Sequence, residues 1–311
     1  MLNVQPAKKP TIYFIGVTTG KSSIMRVFPK WAQALGLDAD IKGIDFKPHS
    51  PAEDYREAVE FIKNDPLSLG ALVTTHKIDL YNACRDLFEY LDPFAQKLGE
   101  ISSISKKEGK LCGHAKDPIS SGLALERFVP QNYWKDYDGD VFLMGAGGAA
   151  LAMSLYFGQE KTGDDIPKKI IISNRSVPRL ESAKKILTGL NPAVKFEYIH
   201  TPAPEDNDRI LAGLKPHSLI VNATGLGKDA PGSPLTEQAE FPKDSLVWEI
   251  NYRGELVFMD QAQAQAEAKN LVIEDGWIYF IHGWTQVVAE VFHIDDIASK
   301  ITMLSEVARN A

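Results

Sequence analysis

The segment Met144-Gly145-Ala146-Gly147-Gly148-Ala149-Ala150 constrains the fold of this chain more than any other. It sits between a short apolar run, Val141–Met144, and a helix-length apolar stretch, Ala149–Phe157. A GxGxxA pattern in that setting serves a strand–turn–helix unit. Its first glycine permits a tight turn, its second lets the backbone approach a pyrophosphate, and the helix N-terminus attracts the phosphate charge. Glycines alone would mark only a turn, whereas the strand before and the helix after point to dinucleotide binding. Gly145, Gly147, Gly148 and Ala149 are therefore candidate cofactor contacts. The next strand-like run, Lys169–Ser173, leads into Asn174-Arg175-Ser176, with Arg179 one helical turn on. A site for NAD would place a carboxylate there for the ribose 2′-hydroxyl. This chain has none and offers two guanidinium groups, whose planar fork suits phosphate. The expected cofactor is NADP, with Asn174, Arg175, Ser176 and Arg179 among its contacts.

The rest of the chain alternates β-rich runs with amphipathic stretches, which predicts parallel sheets, because parallel neighbours need long crossovers. In the first half, Thr11–Val17, Asp40–Phe46 and Leu69–Thr74 read as strands. Met25–Leu35 (disturbed by Pro29), Ala52–Asn64 and Asp79–Phe88 read as helices. Ile101–Ser105 and Lys110–His114 flank Glu108-Gly109, a hairpin signal. In the second half, strands are expected at Val141–Met144, Lys169–Ser173, Lys195–Ile199, Ser218–Ala223, Leu246–Ile250 and Leu271–Glu274, with helices at Ala149–Phe157, Arg179–Leu187 and Met259–Lys269. Two such blocks in 311 residues predict two α/β domains with a boundary near Gly122–Tyr137. The last helices, Trp277–Phe292 and Asp295–Ala308, are expected to pack back on the first domain.

Composition narrows the function classes. The balance of 34 basic against 41 acidic residues gives a net charge of −7, which argues against a nucleic-acid surface. Cys84 and Cys112 lie in apolar surroundings and read as reduced thiols, and the absence of CxxC and HExxH spacing argues against a metal. The start, Met1–Pro10, is polar and reads as neither a secretory signal nor an anchor, and no later run is long and apolar enough to span a bilayer. A cytoplasmic enzyme is expected.

Taken in order, the motifs resemble those of shikimate dehydrogenases. GAGGAA is followed by Asn174-Arg175-Ser176 with Arg179, then by Val221-Asn222-Ala223-Thr224-Gly225-Leu226-Gly227, then by Glu249-Ile250-Asn251-Tyr252. Upstream, Val73-Thr74-Thr75-His76-Lys77 resembles the family's lysine motif and Gly113-His114-Ala115-Lys116-Asp117 its aspartate motif. Asp275-Gly276-Trp277 extends the likeness toward the C-terminus. The resemblance implies an N-terminal α/β substrate domain with a mainly parallel sheet (residues 1–122 plus 277–311) and a C-terminal Rossmann domain that binds NADP (residues 123–276). It implies that Lys77 and Asp117 form a catalytic pair facing the nicotinamide across an interdomain cleft. Such a lysine can exchange the proton that accompanies hydride transfer, and such a carboxylate can orient the amine and bind a ring hydroxyl. It implies Asn222, Thr224 and Gly225 near the nicotinamide ribose, and Ser22, Thr74, Ser102 and Tyr252 at the substrate, a small hydroxylated ring carboxylate. No nucleic acid or membrane partner is implied, and a homodimer stays open.

Several recognition positions depart from the family. Where two serines and a proline are expected, the chain has Ser22-Ser23-Ile24-Met25, so that only Ser22 matches. Asn-Thr becomes Ala115-Lys116 before Asp117, and Ser102-Ser103 in the earlier strand. The glutamine expected around Gly283 is absent, with Gln286 nearby, and the lysine loop is one residue short. Lys21 and Lys116 are read either as replacement contacts for a carboxylate or as solvated surface lysines. The expected activity is reversible reduction of 3-dehydroshikimate or a related keto-cyclohexane carboxylate with NADPH. The alternatives are a shikimate-dehydrogenase-like enzyme for another cyclitol and a non-catalytic NADP-binding regulator.

Overall fold

A computed structural model describes residues 6–159, 163–228 and 230–311; the first five residues of the polar start lie outside them. The chain divides into two compact units, one running to Lys116 and resuming at Ile281, the other spanning Asp117–Phe280. The sequence places these limits at 122/123 and 276/277.

The first unit is built from β1 (Thr11–Gly16), α1 (Ile24–Leu35), β2 (Asp40–Asp45), α2 (Ala52–Asn64), β3 (Ser68–Val73), α3 (Lys77–Cys84), β4 (Tyr90–Leu91), α4 (Pro93–Leu98), β5 (Ser103–Lys107) and β6 (Lys110–His114). Its sheet has the order β2-β1-β3-β5-β6-β4. β1 pairs in parallel with β2 and β3, and β5 runs antiparallel to β3 and β6. Every residue of β1 is buried, as its unbroken apolar run requires of a strand covered on both faces. β2 is the polar edge strand and keeps its charges outward. In α2 the buried Tyr55, Ala58, Val59 and Ile62 form one stripe at helical spacing, and in α1 the buried Ile24, Val27, Phe28, Trp31 and Ala32 form another. That stripe carries α1 through Pro29 without a break, and Gly36, at φ 69, closes the helix. The hairpin turn has Glu108 at φ 51 and Gly109 at φ 75, the left-handed pair that matches strand twist.

The second unit contains α5 (Asp117–Phe128), α6 (Tyr133–Asp136), β7 (Val141–Met144), α7 (Gly148–Phe157), β8 (Lys169–Asn174), α8 (Val177–Leu187), β9 (Lys195–His200), α9 (Pro204–Ala212), β10 (Leu219–Asn222), β11 (Leu246–Glu249), α10 (Val257–Gln263), α11 (Ala266–Lys269) and β12 (Val272–Glu274). All neighbours in its sheet, β12-β11-β10-β7-β8-β9, are parallel. Chain order runs outward from β7 on one side and outward from β10 on the other. The direction of winding therefore reverses between β7 and β10, where doubly wound sheets open a crevice beyond the strand C-termini. Phe142, Met144, Ile171, Ile220 and Val247 of the sheet pack with Leu211 and Phe258 of the helices. α12 (Trp277–Phe292) then carries the chain back, and α13 (Ile301–Arg309) ends it. In the first unit α13 seats on α1, with the Trp31 Nε1–H donating to the Leu304 carbonyl at 2.7 Å, and Trp284 of α12 meets Phe14 edge-on.

Three expected helices differ. Asp79–Phe88 is replaced by α3, which starts at Lys77, and a 3₁₀ turn, Arg85–Leu87. Met259–Lys269 is split into α10 and α11, where the Gln265 side chain turns aside to bond Phe241 and Ala239. Asp295–Ala308 becomes a short 3₁₀ turn, Ala298–Lys300, followed by α13. α4, α5, α6 and α9 have no counterpart among the expected helices.

The contact between α5 and α7 generates a test. A methyl group at Gly122 would lie 2.2 Å from the Tyr156 ring. Gly122→Ala gains helix propensity but overpacks this contact, and a net loss of about 1–2 kcal/mol is expected in equilibrium urea unfolding.

Candidate functional site

The glycine turn of the second unit has the geometry that its sequence requires. Gly145 lies at φ 109, and a Cβ there would stand 2.6 Å from the Ala223 carbonyl oxygen, so no side chain fits. Its N–H donates to the Ser173 carbonyl at 2.8 Å, which ties the turn after β7 to the end of β8. Gly147 caps α7 without a side-chain bond and has open space where a Cβ would stand.

These residues form one wall of a cavity of about 510 Å³ at the C-terminal ends of β7, β8, β9 and β10. Of the expected cofactor residues, Gly145, Gly147, Asn174, Arg175, Ser176, Arg179, Thr224 and Gly225 line it. Arg175 and Arg179 are both exposed, and no Asp or Glu occurs among the described lining residues. Thr201, Asn207 and Pro234 also line it and escape the sequence reading, because they follow β9 and β10 in segments without a recognisable motif. Asn207 fixes that side by accepting from the Ser173 hydroxyl at 2.7 Å and donating to the Pro234 carbonyl at 2.9 Å. The Thr201 hydroxyl is buried in the wall with no partner among the described residues. An acid-free cavity with two arginines, a side-chain-free turn and an unsatisfied hydroxyl fits a dinucleotide carrying an additional phosphate.

Gly148, Ala149 and Asn222 are not in the cavity wall. Gly148 and Ala149 open α7, whereas Asn222 is fully buried beneath the loop. Asn222 Oδ1 accepts from the Thr224 N–H at 3.1 Å and the Thr224 hydroxyl at 2.6 Å, and its Nδ2 donates to Glu249 at 2.7 Å. The Asn222 amide thus shapes the Thr224–Leu226 turn. Glu249 also accepts from the Asn251 N–H at 2.9 Å and the Asn251 side chain at 2.6 Å. Burial pushes the Glu249 carboxyl up to about 7, against these N–H donors, which favour the charged form. Tyr252 follows this network, half-buried, with its ring 4.5 Å from that of Phe280.

In the first unit the expected substrate residues gather at one end of the sheet. Thr74 follows β3, and its N–H donates to the Ile15 carbonyl. Ser102 precedes the antiparallel β5, and its carbonyl accepts from the Val73 N–H. Ile101 donates to the Lys77 carbonyl at 3.1 Å, which brings the first residue of α3 beside Ser102. Ser22 lies on the loop that leaves β1. The loop before Lys77 is strained: Thr75 sits at φ 60, and the His76 N–H turns back to the Thr74 carbonyl at 2.5 Å. The Ser102 hydroxyl accepts from the Lys116 N–H at 2.8 Å, so it is partly committed to backbone. Lys116 is not a solvated surface lysine; its ammonium donates to Glu290 of α12 at 2.5 Å. Asp117 opens α5 in the second unit.

No known family profile matches the chain. A shikimate dehydrogenase (NADP(+)) from Bacillus cereus (strain ATCC 10987 / NRS 248) is 30% identical over 229 residues, 73% of each chain. One from Streptococcus thermophilus is 28% identical over 163 residues, 52% of this chain and 53% of that protein. This chain thus spans about half the length of the second relative. A quinate dehydrogenase from Corynebacterium glutamicum, solved in complex with NAD, shares the fold with a TM-score of 0.75 at 17% identity, over 97% of this chain and 99% of that one. Among the described residues no helix is long and apolar enough to cross a membrane.

The raised carboxyl at Glu249 has a signed consequence. A folded value near 7 against an ordinary 4.5 gives a contribution to stability that is fully present below pH 4.5 and lost as pH rises through 7. On the order of 3 kcal/mol is involved. Hydrogen-exchange protection of the Val221 and Trp248 amides should fall between pH 5 and pH 8 in the native chain, and this fall should vanish in Glu249→Gln.

Proposed function

Because the chain belongs to the shikimate dehydrogenase family, we propose that it is an NADP-dependent oxidoreductase that reversibly reduces the ketone of a hydroxylated ring carboxylate, 3-dehydroshikimate first among them. The observation that carries this reading is the acid-free cavity bounded by the Gly145 turn, Arg175 and Arg179. NADPH held in this cavity would supply the hydride that the carbonyl carbon accepts. Gly145 and Gly147 leave the backbone bare for the pyrophosphate, and the arginines bind the 2′-phosphate with charge-assisted bonds.

The residues of the first unit handle the proton. The Lys77 ammonium donates it to the carbonyl oxygen as the new C–H bond forms, and becomes an amine that solvent reprotonates. In the oxidative direction the amine accepts the hydroxyl proton. Asp117, at the first turn of α5, holds a substrate hydroxyl. Thr74, Ser22 and Tyr252 complete the polar surround, and Ser102 contributes what its bonds to the backbone leave over. The buried, unbridged Cys84 and Cys112 accord with a cytoplasmic location.

A second reading, a related cyclitol as substrate, is favoured by the same Ser102 and Lys116 contacts, which withdraw polar groups that the family pattern would offer a ring. NADPH oxidation followed at 340 nm with 3-dehydroshikimate, and NADP reduction with shikimate, quinate and neutral cyclitols, separates the two. The absence of turnover with every one of these, despite tight NADP binding, would defeat the substrate class. Lys77→Ala should lower kcat about 10²–10⁴-fold. Arg175→Ala should weaken NADP binding about tenfold or more and leave NAD binding unchanged.

A further inference from the structure

The polar residues just before Asp117 form a network that the proposed reaction does not use. Lys116 and His114, on the same face of the chain leaving β6, both reach Glu290 of α12: Lys116 Nζ at 2.5 Å and His114 Nε2 at 3.2 Å. On its other side His114 Nδ1 lies 3.7 Å from Asp92, whose second oxygen accepts from the Ala115 N–H at 3.3 Å and the Ala95 N–H at 2.6 Å. The Lys116 N–H is held by the Ser102 hydroxyl. Three consecutive residues, His114 to Lys116, are thus tied through side chain or backbone to three separate elements. The side chains of Lys116 and His114 are only 11% and 8% exposed.

A buried ion pair adds little net stability over an apolar pair of the same shape. What it adds is direction, because an ammonium removed from water is held at one counter-ion. Here the counter-ion stands on α12, 174 positions further along the chain, and the ammonium belongs to the residue before Asp117. We propose that Glu290 is a positioning residue for Asp117, holding the Lys116 side chain so that the peptide from which Asp117 departs keeps a single orientation. The proposal rests on the reading that Asp117 takes part in the reaction.

The surroundings supply the alternative position that makes the tether necessary. Lys116, His114, Glu290 and Asp92 line a cavity of about 540 Å³ in the first unit, and Glu89 and Glu108 in the same lining offer an ammonium other counter-ions. An ammonium deprived of Glu290 has a route to water through that cavity and would draw its backbone with it. Burial, only partly opposed by Glu290, holds the His114 imidazole down at about 4 and therefore neutral at neutral pH. Burial raises the Asp92 carboxyl, which is already engaged by two N–H groups. Cys112 is a buried thiol pushed upward, and His293 bonds the Lys106 carbonyl. Burial alone would raise Glu290, but the Lys116 bond and the adjacent charges outweigh it and keep the carboxyl below its ordinary range.

The test uses the full chain with NADPH and 3-dehydroshikimate, comparing Glu290→Gln, the double variant Glu290→Gln/Lys116→Gln, and Asp117→Asn. Glu290→Gln should lower kcat at least tenfold and leave KM within threefold and the NADP dissociation constant unchanged. Exchange of the Ala115 and Lys116 amides, measured without ligand, should accelerate at least tenfold. The double variant, whose two amides can bond each other without charge, should recover both kcat and slow exchange; if the single variant does not fold, the double variant decides alone. A Glu290→Gln enzyme with kcat within twofold of the native chain, beside an inactive Asp117→Asn, overturns the proposal and spares the function. A double variant as slow as the single one also overturns it. Native turnover in Asp117→Asn defeats the reading beneath it.

Discussion

Parallel strands cannot be joined by a tight turn, and the organisation of the second unit follows from that constraint. Each of its strands must be followed by a long crossover, so every strand C-terminus releases the chain at the same end of the sheet. Where winding reverses between β7 and β10, the loops leave in opposite directions and a crevice remains. Gly145 is possible there only without a side chain, because the turn after β7 and the loop after β10 approach within 2.6 Å of where its Cβ would be. The buried Asn222–Glu249–Asn251 network holds the other side. The crevice is thus shaped by backbone geometry and a few buried amides, while Arg175 and Arg179 stand exposed in its lining.

Much of this was legible in the sequence, for a physical reason. Strands covered on both faces must be apolar throughout, so TIYFIG, VFLM and KIIISN announce themselves, and the glycine turn between VFLM and its helix cannot be read as anything extended. α9 was not legible. Its residues PEDNDRILA are mostly polar, and its start depends on the Asp206 carboxylate accepting from the Ala203 N–H, a local bond without an apolar stripe to advertise it. Met259–Lys269 reads as one helix because its composition suits one; the break is imposed by bonds from Gln265 to a distant segment.

At the candidate site the division is similar. Motif glycines and the arginines after β8 could be placed from spacing alone. Asn222 could not be separated from true wall residues, because the same amide suits a ligand or a buried carboxylate, and Glu249 lies 27 positions away. Lys116 was open between a surface lysine and a carboxylate anchor, and its actual partner lies in a helix 174 positions later. Long-range pairs between polar residues leave no periodic trace in a single sequence. The pairing in the first unit of Ser102 with the backbone of Lys116 belongs to the same class.

The first unit is assembled from two separated stretches of chain, with the whole second unit inserted between Lys116 and Ile281. α1 presents Trp31 to a carbonyl of α13, and Phe28 stacks on Phe292, so part of its apolar face is covered by residues from the far end. During translation the ribosome must therefore deliver the complete second unit before the first can close. The inserted unit, with an uninterrupted stretch of chain, can fold while the earlier strands wait with α1 only partly covered. Loss of the last two helices would accordingly undo the unit that is synthesised first and leave the later one standing, an order that limited proteolysis of a chain ending at Phe280 would reveal.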